Sequence, residues 1–381
     1  MKDEIRMTKA EWPRKPLGGL LDFLTSGSRG WAEYYREAGD VFLRIQNVGR
    51  NQMLLNDVAF VEAPDSAEAK RTLVQPGDVL LSITADLGRT GVVPETLGRA
   101  YINQHLAILR VKGIHPHFLS AFLASPEGQK QVMGRNKHAV KAGLNFEDIR
   151  SFQIPLPPLA EQRRIAEVLD RAEALRAKRR AALAELDSLT QSLFLDLFGD
   201  PRKKGSTGNT PTKPHLLGEL IRIRTGRLDA NAADEDGIHP FFTCAVEPLR
   251  INTPAFDCKA VLVAGNGDLN VKYFEGKFNA YQRTYVIESL NESVLVPRFL
   301  HAFLDLYVSE LRKQAIGGVI KYIKLPYLTD AVVQLPLKEW QQEFARRVGA
   351  VEKLKAAQRT ALAEQDALFA TLQHRAFRGE L

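Results

Sequence analysis

Two stretches of the chain place an apolar residue at every third or fourth position over about forty residues. The first follows the proline-rich segment 155–158 and has no glycine or proline before Gly199, and the second begins near Phe344. So narrow an apolar stripe on a long helix is typical of a coiled coil, and two similar stripes favour an antiparallel pair. Two separate amphipathic helices, each packed on its own domain, are the alternative. The residues expected in the seam between the helices are Ile165, Leu169, Leu175, Leu183, Leu186, Leu193, Phe344, Val348, Val351, Leu354, Leu362, Leu368 and Leu372.

The rest of the chain alternates short apolar runs with turns rich in Gly, Asn and Asp, which predicts strands mixed with short helices. One run, residues 271–278, has Gly276 near its centre and is interpreted as a hairpin that turns there. These segments suit two compact α+β domains of ordinary size. The expected strands are 79–83, 106–111, 259–263 and 284–287, and the expected helices lie around 118–123 and 296–313.

The chain contains an internal repeat of a globular part followed by a helical part. Phe-Leu-Ser-Ala-Phe-Leu at 118–123 returns as Phe-Leu-His-Ala-Phe-Leu at 299–304, and the Leu-Pro of 156–157 returns at 335–336. A polar, basic stretch rich in glycine and proline lies between the copies and is typical of a linker. The predicted bounds are 1–157 and 215–336 for the globular domains, 158–199 and 337–381 for the long helices, and 200–214 for the linker.

Composition and charge limit the possible classes of protein only mildly. The 381 residues are 45% hydrophobic, which is too apolar for a disordered chain. The 52 Lys and Arg exceed the 45 Asp and Glu by seven, so a polyanionic partner is permitted but not required. No apolar run is long enough for a membrane span, and the charged amino terminus does not indicate export. The two cysteines fit a reducing cytosol.

Several segments resemble catalytic or metal-binding motifs without completing them. Residues 261–268 look like a strand and glycine-rich turn that holds a nucleotide, but a strand rather than a helix is expected to follow. Asp65, Glu68 and Lys70 are too close in sequence for a metal-dependent nuclease site and are interpreted as a solvated helix start. The segment 115–117 (His-Pro-His) and the two cysteines lack further ligands at zinc spacing. We therefore expect a chain without catalytic activity and without a cofactor or metal of its own.

Basic and amide side chains cluster at corresponding places in the two copies. Residues 129–141 correspond to 312–324, and 103–105 correspond to 281–283. Lys and Arg can neutralise phosphates, whereas Asn, Gln and Arg can pair with purine edges in the major groove. Ordinary solvated loops are the alternative interpretation. The candidate DNA-binding residues are Arg89, Asn103, Gln104, Arg135, Lys137, His138, Lys141, Asn266, Lys272, Tyr281, Gln282, Arg283, Lys321, Tyr322 and Lys324.

One motif resembles a known family over nearly the whole chain. Leu-Pro-Pro-Leu-Ala-Glu-Gln-Arg-Arg-Ile-Ala-Glu-Val-Leu at 156–169, with Leu-Phe-Gly-Asp-Pro at 197–201, is similar to the DNA-specificity subunit of type I restriction–modification enzymes. The arrangement of strand, glycine turn and Gln-Arg-Thr-Tyr-Val-Ile across 261–287 resembles the same family. The second copy departs from the first motif at 335–341.

The resemblance implies a fold and a function. The fold would be α+β, with two similar mixed α/β target-recognition domains separated by two long helices that form an antiparallel coiled coil, a pseudo-two-fold internal repeat. Each domain would read one half of a bipartite, asymmetric target in double-stranded DNA, and the helices would act as a ruler between the halves.

The partners implied are two adenine methyltransferase subunits and an optional restriction subunit. S-adenosylmethionine, ATP and Mg²⁺ would bind those partners rather than this chain. We expect an enzyme complex of the cytoplasm, associated with the nucleoid, that defends the cell against foreign DNA. A coiled-coil scaffold without sequence readout is the main alternative, and an intrinsic methyltransferase or nuclease is a minor one.

Overall fold

The computed structural model describes residues 12–135, 143–203 and 205–381, without the side chain of Arg135. The chain divides into two compact units. Unit 1 comprises residues 1–178 with 362–381, and unit 2 comprises 179–361. The division therefore falls inside both long helices, and the domain bounds drawn from the sequence remain a prediction.

The first half of the chain holds ten strands and five helices among the described residues. The strands are β1 (Arg14–Pro16), β2 (Leu21–Ser26), β3 (Tyr35–Arg36), β4 (Asp40–Leu43), β5 (Ala59–Val61), β6 (Val79–Ser82), β7 (Thr90–Val92), β8 (Ala100–Ile102), β9 (Leu106–Val111) and β10 (Gln153–Pro155). The helices are α1 (Ala67–Thr72), α2 (Pro116–Ala124), α3 (Pro126–Arg135), α4 (Phe146–Arg150) and α5 (Leu159–Phe198).

The second half repeats this plan with fewer elements. Its strands are β11 (Thr212–Leu216), β12 (Ile221–Thr225), β13 (His239–Phe242), β14 (Leu249–Ile251), β15 (Phe256–Ala264), β16 (Val271–Ala280), β17 (Thr284–Ser289) and β18 (Val332–Pro336). Its helices are α6 (Pro297–Gln314), α7 (Pro326–Thr329) and α8 (Lys338–Ala376).

The sheets of the two units share one topology at their centre. In unit 1 the order is β2-β9-β6-β7, and in unit 2 the corresponding strands begin the order β12-β17-β15-β16-β13-β14. A two-stranded ribbon accompanies each, β1 with β10 and β11 with β18. Unit 1 has a further sheet, β3-β5-β4-β8, in which β4 and β8 are parallel. The α+β class and the internal repeat predicted from the sequence are confirmed.

One predicted turn is wrong. Residues 271–278 form no hairpin at Gly276, because β16 runs without interruption from Val271 to Ala280 and pairs with β15 along most of its length. Gly276 adopts a φ of +123° inside the strand, a conformation that favours glycine and that bends a strand without ending it. The actual turn of this hairpin lies between β15 and β16, over residues 265–270.

The repeated Phe-Leu-x-Ala-Phe-Leu hexapeptide packs each globular part onto a long helix. In unit 1, the rings of Phe118 and Phe122 on α2 lie 5.5 and 5.2 Å from that of Phe377, which follows α8. In unit 2, Phe299 on α6 stacks 5.3 Å from Phe194 near the end of α5. All five rings are buried, so aromatic burial holds these helices together in each unit.

A buried glutamine lies in the first turn of each long helix. Gln162 accepts a hydrogen bond from the backbone N–H of His115, just before α2, and donates one to the carbonyl of Pro157, both at 2.8 Å. Gln341 does the same with Val296, before α6, and with Pro336. Each glutamine therefore satisfies backbone groups that would otherwise be buried without partners.

Within each unit the two long helices run antiparallel, as predicted. In unit 1, Arg176 on α5 forms an ion pair with Asp366 on α8 at 2.6 Å. In unit 2, Lys355 on α8 pairs with Asp187 on α5 at 2.8 Å. Each residue of the second pair lies 179 positions from its counterpart in the first, so the polar contacts repeat along with the fold.

Three of the predicted seam residues are wrong. Leu175, Leu354 and Leu368 expose 58%, 47% and 58% of their surface, whereas the other ten lie buried or half-buried. The inward positions follow a strict alternation of four and three residues, which passes from Ala172 to Arg176 rather than to Leu175. The guanidinium of Arg176 lies 4.3 Å from the ring centre of Phe369, so its long side chain occupies the place that hydrophobicity alone would assign to leucine.

The segment predicted as a linker forms the cap of α5 and the start of β11. Gly199 ends the helix with a φ of +83°. The Thr210 side chain and the backbone N–H of Thr210 both donate to the carbonyl of Leu197, at 2.8 and 3.1 Å. This segment therefore satisfies carbonyls that the end of a helix leaves without partners.

Candidate nucleic-acid interface

In unit 2, backbone hydrogen bonds bring three distant segments together at one end of the β15–β17 ladder. Gly265, directly after β15, donates to the carbonyl of Arg283 at 2.8 Å and accepts from Ile323 at 2.9 Å. Gly267 donates to the carbonyl of Lys321 at 2.8 Å. The predicted positions in 266–272, 281–283 and 321–324 therefore form one surface, which we call the unit 2 face.

Part of this face is a half-buried polar cluster. Lys272 bonds to Asn270, whose side chain donates to the carbonyl of Cys244 at 2.8 Å. The thiol of Cys244 donates to the side-chain oxygen of Asn266 at 2.9 Å. Burial lowers the pKa of Lys272, and the nearby Cys244 and Glu247 oppose that shift. An anion bound beside this lysine would stabilise the charged form of the side chain, which burial disfavours.

The outer part of the face carries the exposed candidates. Gln282, Arg283, Lys321 and Lys324 are exposed, and 38% of Tyr322 remains accessible. Tyr281 is half-buried. Exposed cations beside amide and aromatic groups can neutralise phosphates and reach base edges. The predicted residues of unit 2 therefore lie together in an arrangement that suits DNA binding.

Unit 1 assembles its candidates around His105, which belongs to the predicted cluster 103–105 but not to the list of candidate DNA-binding residues. The backbone N–H of Ile83 donates to the carbonyl of His105 at 2.9 Å, which corresponds to the Gly265–Arg283 bond of unit 2. The two ring nitrogens of His105 lie 2.6 Å from Thr84 Oγ1 and 3.1 Å from Gln104 Nε2. Asn103 accepts from the backbone N–H of His105 at 3.2 Å. This polar chain is the unit 1 face.

Arg89 is engaged by its own unit. Its Nε lies 2.6 Å from Asp86, and its Nη1 donates to the carbonyl of Val48 at 3.2 Å. A phosphate would therefore compete with a carboxylate for this guanidinium. The candidates Lys137, His138 and Lys141, together with the side chain of Arg135, lie outside the described residues.

The segments that resemble catalytic motifs have other structural roles. Residues 261–268 lead into strand β16 rather than a helix, as expected from the sequence. Ser66 caps α1, and Lys70 pairs with Asp65 at 2.7 Å on the protein surface. Over residues 12–134, 143–203 and 205–381, no three His, Cys, Asp or Glu side chains come together as a metal site. Within the same described ranges, none of the helices combines the length and apolar character needed to cross a membrane.

Curated proteins are similar in sequence to part of this chain or to most of it. The specificity subunit of the type I restriction enzyme EcoDI of Escherichia coli is 46% identical over 145 residues, which cover 38% of this chain and 32% of that one. The specificity subunit of EcoBI, also from E. coli, is 28% identical, and the match covers 35% of its length. The chain thus spans about a third of the length of these first relatives. A putative MjaX specificity subunit of Methanocaldococcus jannaschii is 22% identical over 93% of this chain and 89% of its own.

Solved structures share the fold over almost the full length. The S subunit of a type I restriction–modification system from M. genitalium superposes with a TM-score of 0.61 at 14% identity, covering 99% of both chains. A chain from a structural study of type I complex assembly gives a TM-score of 0.58 at 18% identity, covering 97% of this chain and 98% of the other.

The family model described as the type I restriction modification DNA specificity domain matches residues 11–185 and 213–365. The two matches include both copies of the repeat and much of both long helices. The chain therefore belongs to the type I restriction–modification DNA specificity family.

Proposed function

We propose that this chain selects the DNA sequence on which a type I restriction–modification complex acts. Unit 1 and unit 2 would each read one half of a bipartite target. The observation that carries the proposal is the repetition of one polar face, built at equivalent strand ends in both units and centred on the Ile83–His105 and Gly265–Arg283 bonds. Two diverged faces on one chain suit two different half-sites, and linking two weak readouts raises their combined affinity.

The long helices support a further part of this proposal, the docking of two copies of one partner. We call Leu175, Leu189, Leu354 and Leu368 the outer leucines, and each is at least 45% exposed. Leu175 and Leu368 belong to unit 1, and Leu189 and Leu354 belong to unit 2. Members of the two sets are again 179 residues apart, and apolar side chains repeatedly exposed beside a helix seam are typical of an interaction surface. We assign one adenine methyltransferase subunit to each set.

The chemistry would then reside in the partners. The methyltransferase subunits would bind S-adenosylmethionine and flip the target adenine from the duplex, and a restriction subunit would use ATP and Mg²⁺. This chain would contribute recognition and docking without catalysing a step. The complex would work in the cytoplasm at the nucleoid.

A methylome comparison tests the proposal. Deleting the gene should abolish N6-methyladenine at one bipartite motif genome-wide, and a plasmid copy should restore it. A strain lacking the methyltransferase is the control, since it should lose the same motif. If the motif persisted without this chain, sequence selection would lie elsewhere and the scaffold alternative would stand.

A further inference from the structure

An apolar tip protrudes from the unit 2 face. Val319 and Ile320, which we call the apolar tip, expose 104% and 62% of their surface. They lie in the segment between α6 and α7, among the candidate residues Lys321, Tyr322 and Lys324. Aliphatic side chains of this size gain free energy when they are buried, so two neighbouring ones held in water at one protruding point indicate an interaction site.

Backbone hydrogen bonds close the base of this segment. Ile316 and Tyr322 exchange two backbone hydrogen bonds of 3.0 and 2.8 Å, which close the segment into a small loop. Gly317 adopts a φ of +118°, and a Cβ at this position would lie only 2.5 Å from the carbonyl oxygen of Ile320. A tip fixed in this way loses little conformational entropy on binding.

The charge around the tip identifies the occupant. Lys321 and Lys324 follow it in the chain and are exposed, and Arg283 lies at the adjoining strand end. Asp268, the acidic residue of the 265–270 turn, is paired with Arg312 at 3.2 Å. An apolar point within a cationic surface matches a nucleic-acid groove, where phosphates surround stacked bases.

We propose that the apolar tip is a wedge that enters a groove of the half-site read by unit 2 and partly unstacks one base step. This inference rests on the proposed function, because it assumes that the unit 2 face contacts double-stranded DNA. Lys321 and Lys324 would hold the phosphate backbone beside the tip, while the two aliphatic side chains pack against the exposed base faces. The unit 2 face would then read the DNA in two ways. Polar side chains would read the base edges, and the wedge would sense how easily one base step deforms. The equivalent segment of the first copy falls in residues 136–142, outside the described part of the chain.

The test uses the complex isolated through a tag on this chain and duplexes carrying the motif found by methylome sequencing. The double variant Val319→Ser, Ile320→Ser should weaken binding to the target duplex roughly 10- to 100-fold. The slope of affinity against salt should stay unchanged, because no phosphate contact is lost. Lys321→Ala should instead lower that slope by about one. Target duplexes with 2-aminopurine at adenines other than the methylated one should brighten at one position with the original chain and at none with the double variant.

The matched control is Leu290→Ser. Leu290 is 54% exposed but follows the far end of β17, about 20 Å along the strand from Arg283, and its substitution should leave affinity and fluorescence unchanged. Equal melting temperatures would show that all variants fold. If the original complex prefers the target but the double variant binds and brightens equally, the wedge is refuted while the proposed function stands. If the original complex does not distinguish the target from a scrambled duplex, the proposed function fails and the wedge with it.

Discussion

The two cysteines of unit 2 differ in what surrounds their thiols. Cys258 lies on β15 beside Glu288 and Arg224, and burial, reinforced by the carboxylate of Glu288, raises its pKa to about 11 from 9.0. Cys244 lies within the unit 2 face, where its thiol bonds to Asn266. One cysteine therefore reports on the interior of the sheet and the other on the proposed DNA contact.

Iodoacetamide at pH 7.5 should modify Cys244 first. Because the raised pKa lowers the thiolate fraction of Cys258 about a hundredfold relative to an ordinary thiol, its modification should be correspondingly slow and should quicken about tenfold per pH unit up to pH 11. A duplex carrying the target motif should protect Cys244 and leave the rate of Cys258 unchanged, as measured by mass spectrometry of the labelled peptides. Equal rates at the two thiols, or no protection by DNA, would contradict these assignments.

Individual site residues could be predicted from the sequence only where they fall in obviously polar loops. Lys321 and Gln282 are of that kind. Cys244 is not, because its part in the unit 2 face depends on a hydrogen bond to Asn266, which is distant in sequence. His105 lies in the predicted cluster 103–105, but its contact with Thr84 could not be predicted. Likewise Arg89 could be identified as basic, but not as the partner of Asp86. Tertiary hydrogen bonding, which no local pattern encodes, decides these cases.

At the scale of elements, charged residues set the register of the helix pair. Arg176 keeps 16% of its side chain exposed and bonds to Glu173 as well as Asp366. Burial alone would lower the pKa of Lys355, but hydrogen bonds to Asp187 and Glu352 outweigh it and raise that pKa. An antiparallel register that places each cation opposite a carboxylate excludes shifted pairings, in which the cation would be left without a partner.

A seam variant and an outer-leucine variant should therefore change different properties of the chain. Arg176→Ala should destabilise the chain by about 2 kcal/mol, since it removes the ion pair with Asp366 and the packing of the guanidinium against Phe369. The melting temperature should fall roughly 4–8 °C. The double variant Leu175→Ser, Leu368→Ser should leave it unchanged, because both side chains are exposed, but should reduce the methyltransferase recovered with the tagged chain.

Arg171→Ala is the control for both measurements, because Arg171 is 81% exposed and pairs with Glu167 only at 3.8 Å. It should change stability by less than about 0.5 kcal/mol. A loss of stability in the leucine variant would indicate that Leu175 does pack in the seam between the helices. If the leucine variant recovered as much methyltransferase as the original chain, the outer leucines would not be part of the docking surface.

The elements themselves were largely predictable, and the errors have a common cause. The long helices and short strands follow from the periodicity of apolar residues, which depends on burial over many positions. The repeat follows from the two matching hexapeptides. Gly276 and Leu175 differ from the prediction because a single residue type does not determine its local structure. A glycine can bend a strand as well as end it, and a long arginine can fill a seam position beside Phe369.

At the scale of the whole molecule, duplication is the feature from which the proposed function follows. Each unit contains a face at equivalent strand ends, a buried glutamine in the first turn of a long helix, and a cation paired across the helices. Once an ancestral unit is copied, the loops of each face can diverge while the packing that supports them is kept. A reader of two unlike half-sites is what such divergence would produce.

We predict that each copy of the repeat selects its own half of the target. The most direct measurement is the methylome of a strain in which residues 215–336 are exchanged for the corresponding segment of a relative with a different motif. We predict that one half of the methylated motif and the gap between the halves stay the same, while the other half changes to that of the relative. A motif that stayed wholly unchanged, or one in which both halves changed together, would contradict the account.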